Sequence, residues 1–446
     1  MRWGFLLSFL TFAFCDFTFA ALKYQNLELS KAEYNQLHPE LQKIQDSTGM
    51  IRVGRWIMAD GLEKRPIIIG KNGARAVLAT SGTYTNAQYM KDAAMITAMS
   101  EIGYVKGRYS FQDIINEIKN GKILVILDAP RKFNAGLFQV VEQHNHHKFG
   151  LAEMIADYIR SVQIAYAMSG QKIYTIGHSL GGLVADLADL GIFMDKSAGV
   201  YISKIHQKLL KEQVALKILL GVPFALQNKG MSFKVQFLLN KLAPWLLTNQ
   251  KMSKKIYKEM EKSLVDYDRK LLSVFSSSQK MAQFISFGSK NSAHIDVVDF
   301  SLLEKRDIKT LFKFSTADAY PEKLLADYVE MAKTNDLSLE LRGSKELSLI
   351  EAYKNTAGDL KVPTILVVSE SDSIARLEDV RAHFKLLQAQ GVDVWLLVLK
   401  GGHLNSGMGV ELEKLKEELK HVLQVTNLAE AREKIENLVS SCGPKY

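Results

Sequence analysis

A chain of 446 residues, 47% hydrophobic and 24% charged, has apolar material for one large core or two modest ones, and this excludes a disordered protein. Its net charge of +9 is spread over many lysines, with no interleaved basic and aromatic pattern for bases, so no nucleic-acid partner is expected.

The first elements are a leader and a polar prelude. Residues 1–20 read as a secretory signal: Arg2, an almost wholly apolar run from Trp3 to Cys15, and Thr18-Phe19-Ala20 as a cleavage site. An uncleaved anchor is the competing reading, though the run falls short of the roughly 20 residues of a membrane-spanning helix, and Cys15 lacks the small preceding residue expected beside a lipidated cysteine. An exported, periplasmic or secreted bacterial protein beginning at Ala21 is the expectation. Removal of the leader leaves Cys442 as the single cysteine, without an internal disulfide. A polar helix is then expected around Lys31 to Asp46, followed by edge strands at Ile51 to Met58 and Arg65 to Ile69.

From Ala74 onward strands and helices alternate. Strands are predicted at Ala76 to Ala79, Ile123 to Leu127, Ile173 to Ile176 and Leu216 to Leu220, and helices at Ala87 to Ile102, Phe111 to Asn120 and Leu151 to Met168. Such alternation predicts a mostly parallel, doubly wound α/β sheet. Residues 224–357 show helical periodicity, many lysines and no clear buried strand, which reads as an inserted helical lid or cap domain between a first core part, 21–223, and a second, 358–446. In the second part a strand from Pro363 to Val368, a helix near Leu377 to Gln390, a strand Val394 to Leu399 and terminal helices at Val410 to Val425 and Ala429 to Ser440 are expected.

Gly177-His178-Ser179-Leu180-Gly181 joins a β-branched strand to a helix whose apolar positions Leu180, Leu183, Val184, Leu187 and Ala188 recur at helical spacing, with Asp186 and Asp189 on the opposite face. A serine on such a sharp turn stands clear of the sheet, and glycines two positions away relieve the crowding, so Ser179 is the candidate nucleophile. A serine hydroxyl needs a base, and the base needs an orienting carboxylate. In open parallel sheets reactive groups gather at the carboxyl ends of strands. Asp372 follows one late strand and His403, in Gly401-Gly402-His403, follows the next; Glu370 is near enough to compete with Asp372. The developing oxyanion needs backbone donors: Leu180 after the nucleophile, and Thr83 or Tyr84 in the Ser81-Gly82-Thr83 loop after the first core strand.

These pieces resemble the α/β-hydrolase family, in its lipase and esterase branch with a helical lid. The resemblance rests on Ser81-Gly82-Thr83, Leu127-Asp128-Ala129-Pro130, the elbow, Asp372 and Gly402-His403, over residues 74–223 and 357–425. Ser81 stands where many members carry histidine. The resemblance implies hydrolysis of an ester, less often an amide, through an acyl-enzyme intermediate on Ser179, without cofactor or metal. An acyltransferase or peptidase with the same residues, or a non-catalytic binding protein on the same fold, are the alternatives. His144-Asn145-His146-His147 has no acidic or thiol companion at ligand spacing and reads as a polar loop, and His178 reads as a neighbour that packs beside the site. Within the insert, the apolar run Val235 to Leu247 precedes Lys251, Lys254, Lys255, Lys258 and Lys262, a pattern compatible with a helical-domain core or with a lid touching a membrane surface above a small-molecule or lipid ester.

Overall fold

The computed structural model describes residues 22–82, 86–103, 109–130, 149–195, 199–223, 347–372 and 374–423, with isolated positions between 302 and 339. The expected leader, most of the insert, both cysteines, the His144–His147 cluster and the helix expected at Ala429 to Ser440 lie outside them.

The main sheet begins with β1 (Tyr24–Glu28), β2 (Ile51–Ile57), the short β3 (Glu63–Lys64) and β4 (Ile67–Gly70). It continues through β5 (Ala76–Thr80), β6 (Leu124–Asp128) and β7 (Ile173–His178). A hairpin of β8 (Ile192–Asp195) and β9 (Gly199–Ile202) stands apart, before β10 (Val214–Leu220) rejoins the sheet. A second small pair, β11 (Ser338–Leu339) and β12 (Leu347–Ser348), precedes β13 (Thr364–Ser369) and β14 (Val394–Leu399). The order across the sheet is β1-β2-β4-β6-β5-β7-β10-β13-β14, with β3 paired to β2. The strands from β6 to β14 run parallel, while β4, β2 and β1 each run antiparallel to their predecessor on that path. This is the mostly parallel sheet expected from the alternating pattern.

Side-chain alternation splits the interior into two apolar layers. From β5, Ala76 and Leu78 enter the layer under the helices Leu151–Ser169, Leu180–Leu187 and Leu377–Ala389. Val77 and Ala79 enter the opposite layer, with the helices Pro39–Thr48, Lys91–Glu101 and Phe111–Lys119 and residues 412–423. Strands covered on both faces carry near-continuous apolar runs, and β4 and β6 are buried throughout.

Local chemistry explains three departures from the expected elements. The helix expected around Lys31 to Asp46 is two helices. Ser30 and Glu33 form a reciprocal capping box on the first, and Pro39 opens the second, since it can start a helix but not continue one. Strand β1 is polar and half-exposed, so it carries no apolar alternation to read; its backbone pairing with β2 defines it. The hairpin β8–β9 and the helix Lys204–Gln213 fill the stretch between the elbow and β10.

Two stretches within the expected insert range pack on the core. The helix Leu349–Asn355 buries Leu349 and Tyr353 in the first layer. Farther upstream, Asp327 accepts the Leu151 N–H at 2.7 Å, and Lys323 pairs with Glu153 at 2.5 Å, at the start of the helix Leu151–Ser169. Burial pushes the Asp327 carboxyl up to about 6.

Candidate active site

At the end of β7 the chain reverses into the helix Leu180–Leu187, and Ser179 takes φ 51° and ψ −120°. Among the described residues it is the sole non-glycine with positive φ, a conformation that costs on the order of 1–3 kcal/mol and persists because neighbours enforce it. The Ser179 N–H donates to the Leu220 carbonyl at 2.9 Å, and its own carbonyl accepts the Leu183 N–H at 2.8 Å. A Cβ on Gly177 would lie 2.6 Å from Gly182 Cα, and one on Gly181 would lie 2.4 Å from the Thr80 carbonyl oxygen. Glycine is therefore required at both flanks by close backbone approach, as the motif's spacing implies. The Ser179 side chain makes no capping bond to the helix it precedes.

Asp372 and His403 come together at the ends of β13 and β14. His403 Nδ1 lies 2.8 Å from Asp372 Oδ2, with both side chains at most 5% exposed. The other carboxylate oxygen, Oδ1, accepts the N–H groups of Ile374 and Ala375, each at 2.8 Å, which fixes the plane of the carboxylate. Glu370, the competing acid, is exposed. The loop carrying His403 is held by a bond from the Gly402 N–H to Asn405 Oδ1 at 2.9 Å and by Ser406 Oγ donating to the His403 carbonyl at 2.9 Å. Gly221, next to the Leu220 that receives the Ser179 N–H, is the point of closest approach. A Cβ there would sit 3.2 Å from both Asp372 Oδ2 and His403 Nδ1, so the end of β10 lies between the elbow and the acid–base pair.

The two sides of the expected oxyanion site differ in what is described. Leu180 opens the elbow helix, where the first-turn N–H groups have no partner inside the helix. Opposite it, a Cβ on Gly82 would fall 3.0 Å from Ser179 Cβ, so the loop after β5 runs directly alongside the serine. Thr83 and Tyr84 lie outside the described residues.

Three residues gain a place at the site that sequence reasoning did not give them. Tyr89 packs its ring 5.1 Å from that of His178 and donates from Oη to the Leu404 carbonyl at 2.9 Å. Burial, and then the nearby Asp372 carboxylate, push its phenol far up, so it stays a donor. Ser406 and Asn405 brace the histidine loop. No motif marks any of them. Asp128, part of the family-like loop, has a different task. Its Oδ2 receives Lys64 Nζ at 2.5 Å and Ser161 Oγ at 3.1 Å, which fastens β3 and the helix Leu151–Ser169 to the end of β6.

Behind the elbow helix lies a buried charged cluster. Asp186 and Asp189, on the face away from the apolar stripe, meet Lys217 from the middle of β10 at 3.5 and 2.6 Å, all three at most 1% exposed. Tyr353 Oη donates to Asp186 Oδ1 at 2.8 Å, and His383 Nε2 lies 3.4 Å from Asp186 Oδ2. Lys361 Nζ donates to the Tyr353 carbonyl at 2.9 Å and to Gln390 Oε1 at 2.6 Å. Burial pushes Asp189 up to about 6 against the pull of Lys217; it pushes His383 down to about 4 and Lys361 down to about 8.

No protein-family model and no curated protein sequence matches the chain. Solved structures similar to it include a thermophilic esterase from Thermogutta terrifontis, at 16% identity over 82% of this chain and 94% of that one, with a TM-score of 0.43. An esterase from Exiguobacterium antarcticum shares 14% identity over 82% and 98% of the two chains, with a TM-score of 0.44. A monoacylglycerol lipase from Paleococcus ferrophilus shares 13% over 81% and 98%, with a TM-score of 0.41. Strand order and the strained turn at Ser179 carry the assignment of the fold.

Proposed function

We propose that the chain is an exported serine hydrolase of the α/β-hydrolase fold that cleaves carboxylic esters through an acyl-enzyme on Ser179. The observations that support the reading lie at one sheet edge: a serine held at φ 51° at the end of β7, and a buried histidine whose Nδ1 is 2.8 Å from a buried carboxylate at the ends of β13 and β14. A turn without chemistry has no need of strain at a serine that caps nothing.

In this reading His403 takes the Ser179 proton as Oγ attacks the ester carbonyl, and returns it to the leaving alcohol; water then repeats the cycle on the acyl-enzyme. Asp372 holds the tautomer with hydrogen on Nδ1, leaving Nε2 as the base, and stabilises the imidazolium as it forms. The backbone N–H of Leu180, with that of Thr83 or Tyr84 in the adjacent loop, receives the oxyanion. The insert selects the acyl group, and its apolar and lysine-rich runs fit an ester at a lipid surface. Export rests on the leader-like residues 1–20.

Fluorophosphonate labelling tests the chemistry: the wild type is expected to label at Ser179, and Ser179→Ala to remain folded and unlabelled. Folded wild-type protein that does not react would overturn the proposal. A series of p-nitrophenyl esters of rising chain length then reads the acyl preference, and added alcohols competing with water separate hydrolysis from acyl transfer.

A further inference from the structure

The residue before the nucleophile touches both the loop that carries His403 and the loop after β5. The His178 ring is 1% exposed and lies between two other rings, Tyr89 at 5.1 Å and His403 at 4.9 Å. Its Nε2 is 3.2 Å from the His403 backbone oxygen, the same carbonyl that Ser406 Oγ reaches at 2.9 Å. Its other edge meets the loop after β5, where a Cβ on Gly82 would be 2.8 Å from His178 Nδ1. Tyr89, whose ring is tilted 54° against that of His178, bonds the next carbonyl of the histidine loop, that of Leu404.

This geometry sets the protonation of the ring. A carbonyl oxygen only accepts, so the Nε2 contact requires hydrogen on Nε2, and the neutral ring then presents a lone pair at Nδ1 to the Gly82 loop. A cationic His178 would place a positive charge beside His403, opposing the imidazolium that His403 must become as it takes the serine proton. The neutral Nε2–H tautomer satisfies both demands.

We propose that His178 is a positioning residue for acyl transfer: bonded to the base loop and packed against Gly82 of the loop after β5, it sets the spacing between proton acceptor and oxyanion donors. The inference rests on the reading of Ser179 and His403 as nucleophile and base. The physical reason for expecting a kinetic effect is that a displacement of about 1 Å in a reacting group can cost on the order of 100-fold in rate. Nothing in the strand-to-helix turn itself requires histidine here, since the position is held by glycine contacts on either side.

The test compares His178→Gln, whose amide nitrogen can still reach the His403 carbonyl, with His178→Leu, which fills similar space without a donor. His178→Leu is expected to lower kcat on a p-nitrophenyl ester by about 10- to 100-fold with KM little changed, and His178→Gln to recover most of the loss. Wild-type kcat in both variants overturns the inference, as does an equal loss in both that tracks a fall in Tm. Histidine-selective ¹⁵N NMR of the wild type supplies a readout independent of activity. A neutral Nε2–H signal for His178, with His403 ring resonances displaced in His178→Leu, is expected; an Nδ1–H tautomer overturns the inference. Absence of labelling at Ser179 in the wild type would instead count against the hydrolase reading, so the two failures are told apart.

Discussion

At the scale of single residues, the site depends on where atoms are excluded as much as on where they are placed. Gly181 has the carbonyl oxygens of Thr80 and Ser81 at 2.4 and 2.5 Å from where a Cβ would stand, both of them backbone. Gly181→Ala must therefore displace the loop that leads to Gly82. Its expected signature is a fall in fluorophosphonate labelling rate of about 100-fold or more, the magnitude of losing an oxyanion donor, with a stability loss of about 1–3 kcal/mol by urea unfolding. Asp372→Asn leaves an oxygen for the Ile374 and Ala375 N–H groups but turns an amide toward His403 Nδ1. That favours the wrong tautomer, so kcat is expected to drop by about 10⁴ in steady-state assays while the fold is kept.

At the scale of elements, the buried cluster behind the elbow joins parts of the chain far apart in sequence. The elbow helix supplies Asp186, the 3-10 turn Ala188–Leu190 after it supplies Asp189, β10 supplies Lys217, the helix Leu349–Asn355 supplies Tyr353, and the helix Leu377–Ala389 supplies His383. Two carboxylates beside one another are tolerable in the interior because Lys217 reaches both and Tyr353 donates to Asp186. Lys217→Met is expected to cost about 3–5 kcal/mol in urea unfolding, since it strands the acids without a cation. Adding Asp189→Leu to that variant should recover part of the loss, because it removes the charge that Lys217 met at 2.6 Å. If Lys217→Met alone unfolds at the wild-type midpoint, the cluster contributes nothing to holding these elements together.

At the scale of the whole molecule, the same cluster shapes the response of stability to pH. His383 is held near 4 in the folded protein against an ordinary value of 6.5, so below 6.5 the unfolded chain takes up a proton that the native chain refuses. Its contribution is complete above 6.5 and is lost as pH falls toward 4. Asp189 runs the other way. Held near 6 against 3.8, it keeps its proton in the native state where the unfolded chain releases it, so folding gains as pH falls from 6 toward 3.8. The two slopes oppose each other between about pH 4 and 6. His383→Asn removes only the first, and on acidification from 6.5 to 4 its stability should improve relative to wild type by about 1.4 kcal/mol per pH unit. Parallel urea curves at pH 4.5, 5.5 and 7 check this; a gap that stays constant with pH refutes it.

What the sequence determined by itself is what local periodicity and short-range geometry encode. Alternating strands and helices dictated the parallel sheet, because buried strands and amphipathic helices carry their burial in their residue pattern. The elbow was legible because a strained turn needs glycine at fixed offsets, and Asp372 and His403 because each follows a strand at the edge where such residues collect. Tertiary structure alone decided the rest. Asp186, Asp189 and Lys217 read as ordinary charges until the fold brought them within hydrogen-bond reach, 28 and 31 residues apart. Glu370 is near enough to Asp372 in sequence to compete with it, and only the turn after β13 exposes one and aims the other at His403. Tyr89 contacts a loop 315 residues away, a distance at which no spacing rule operates. Local pattern records what a residue's own element requires of it, while contact between elements is set by packing over the whole chain.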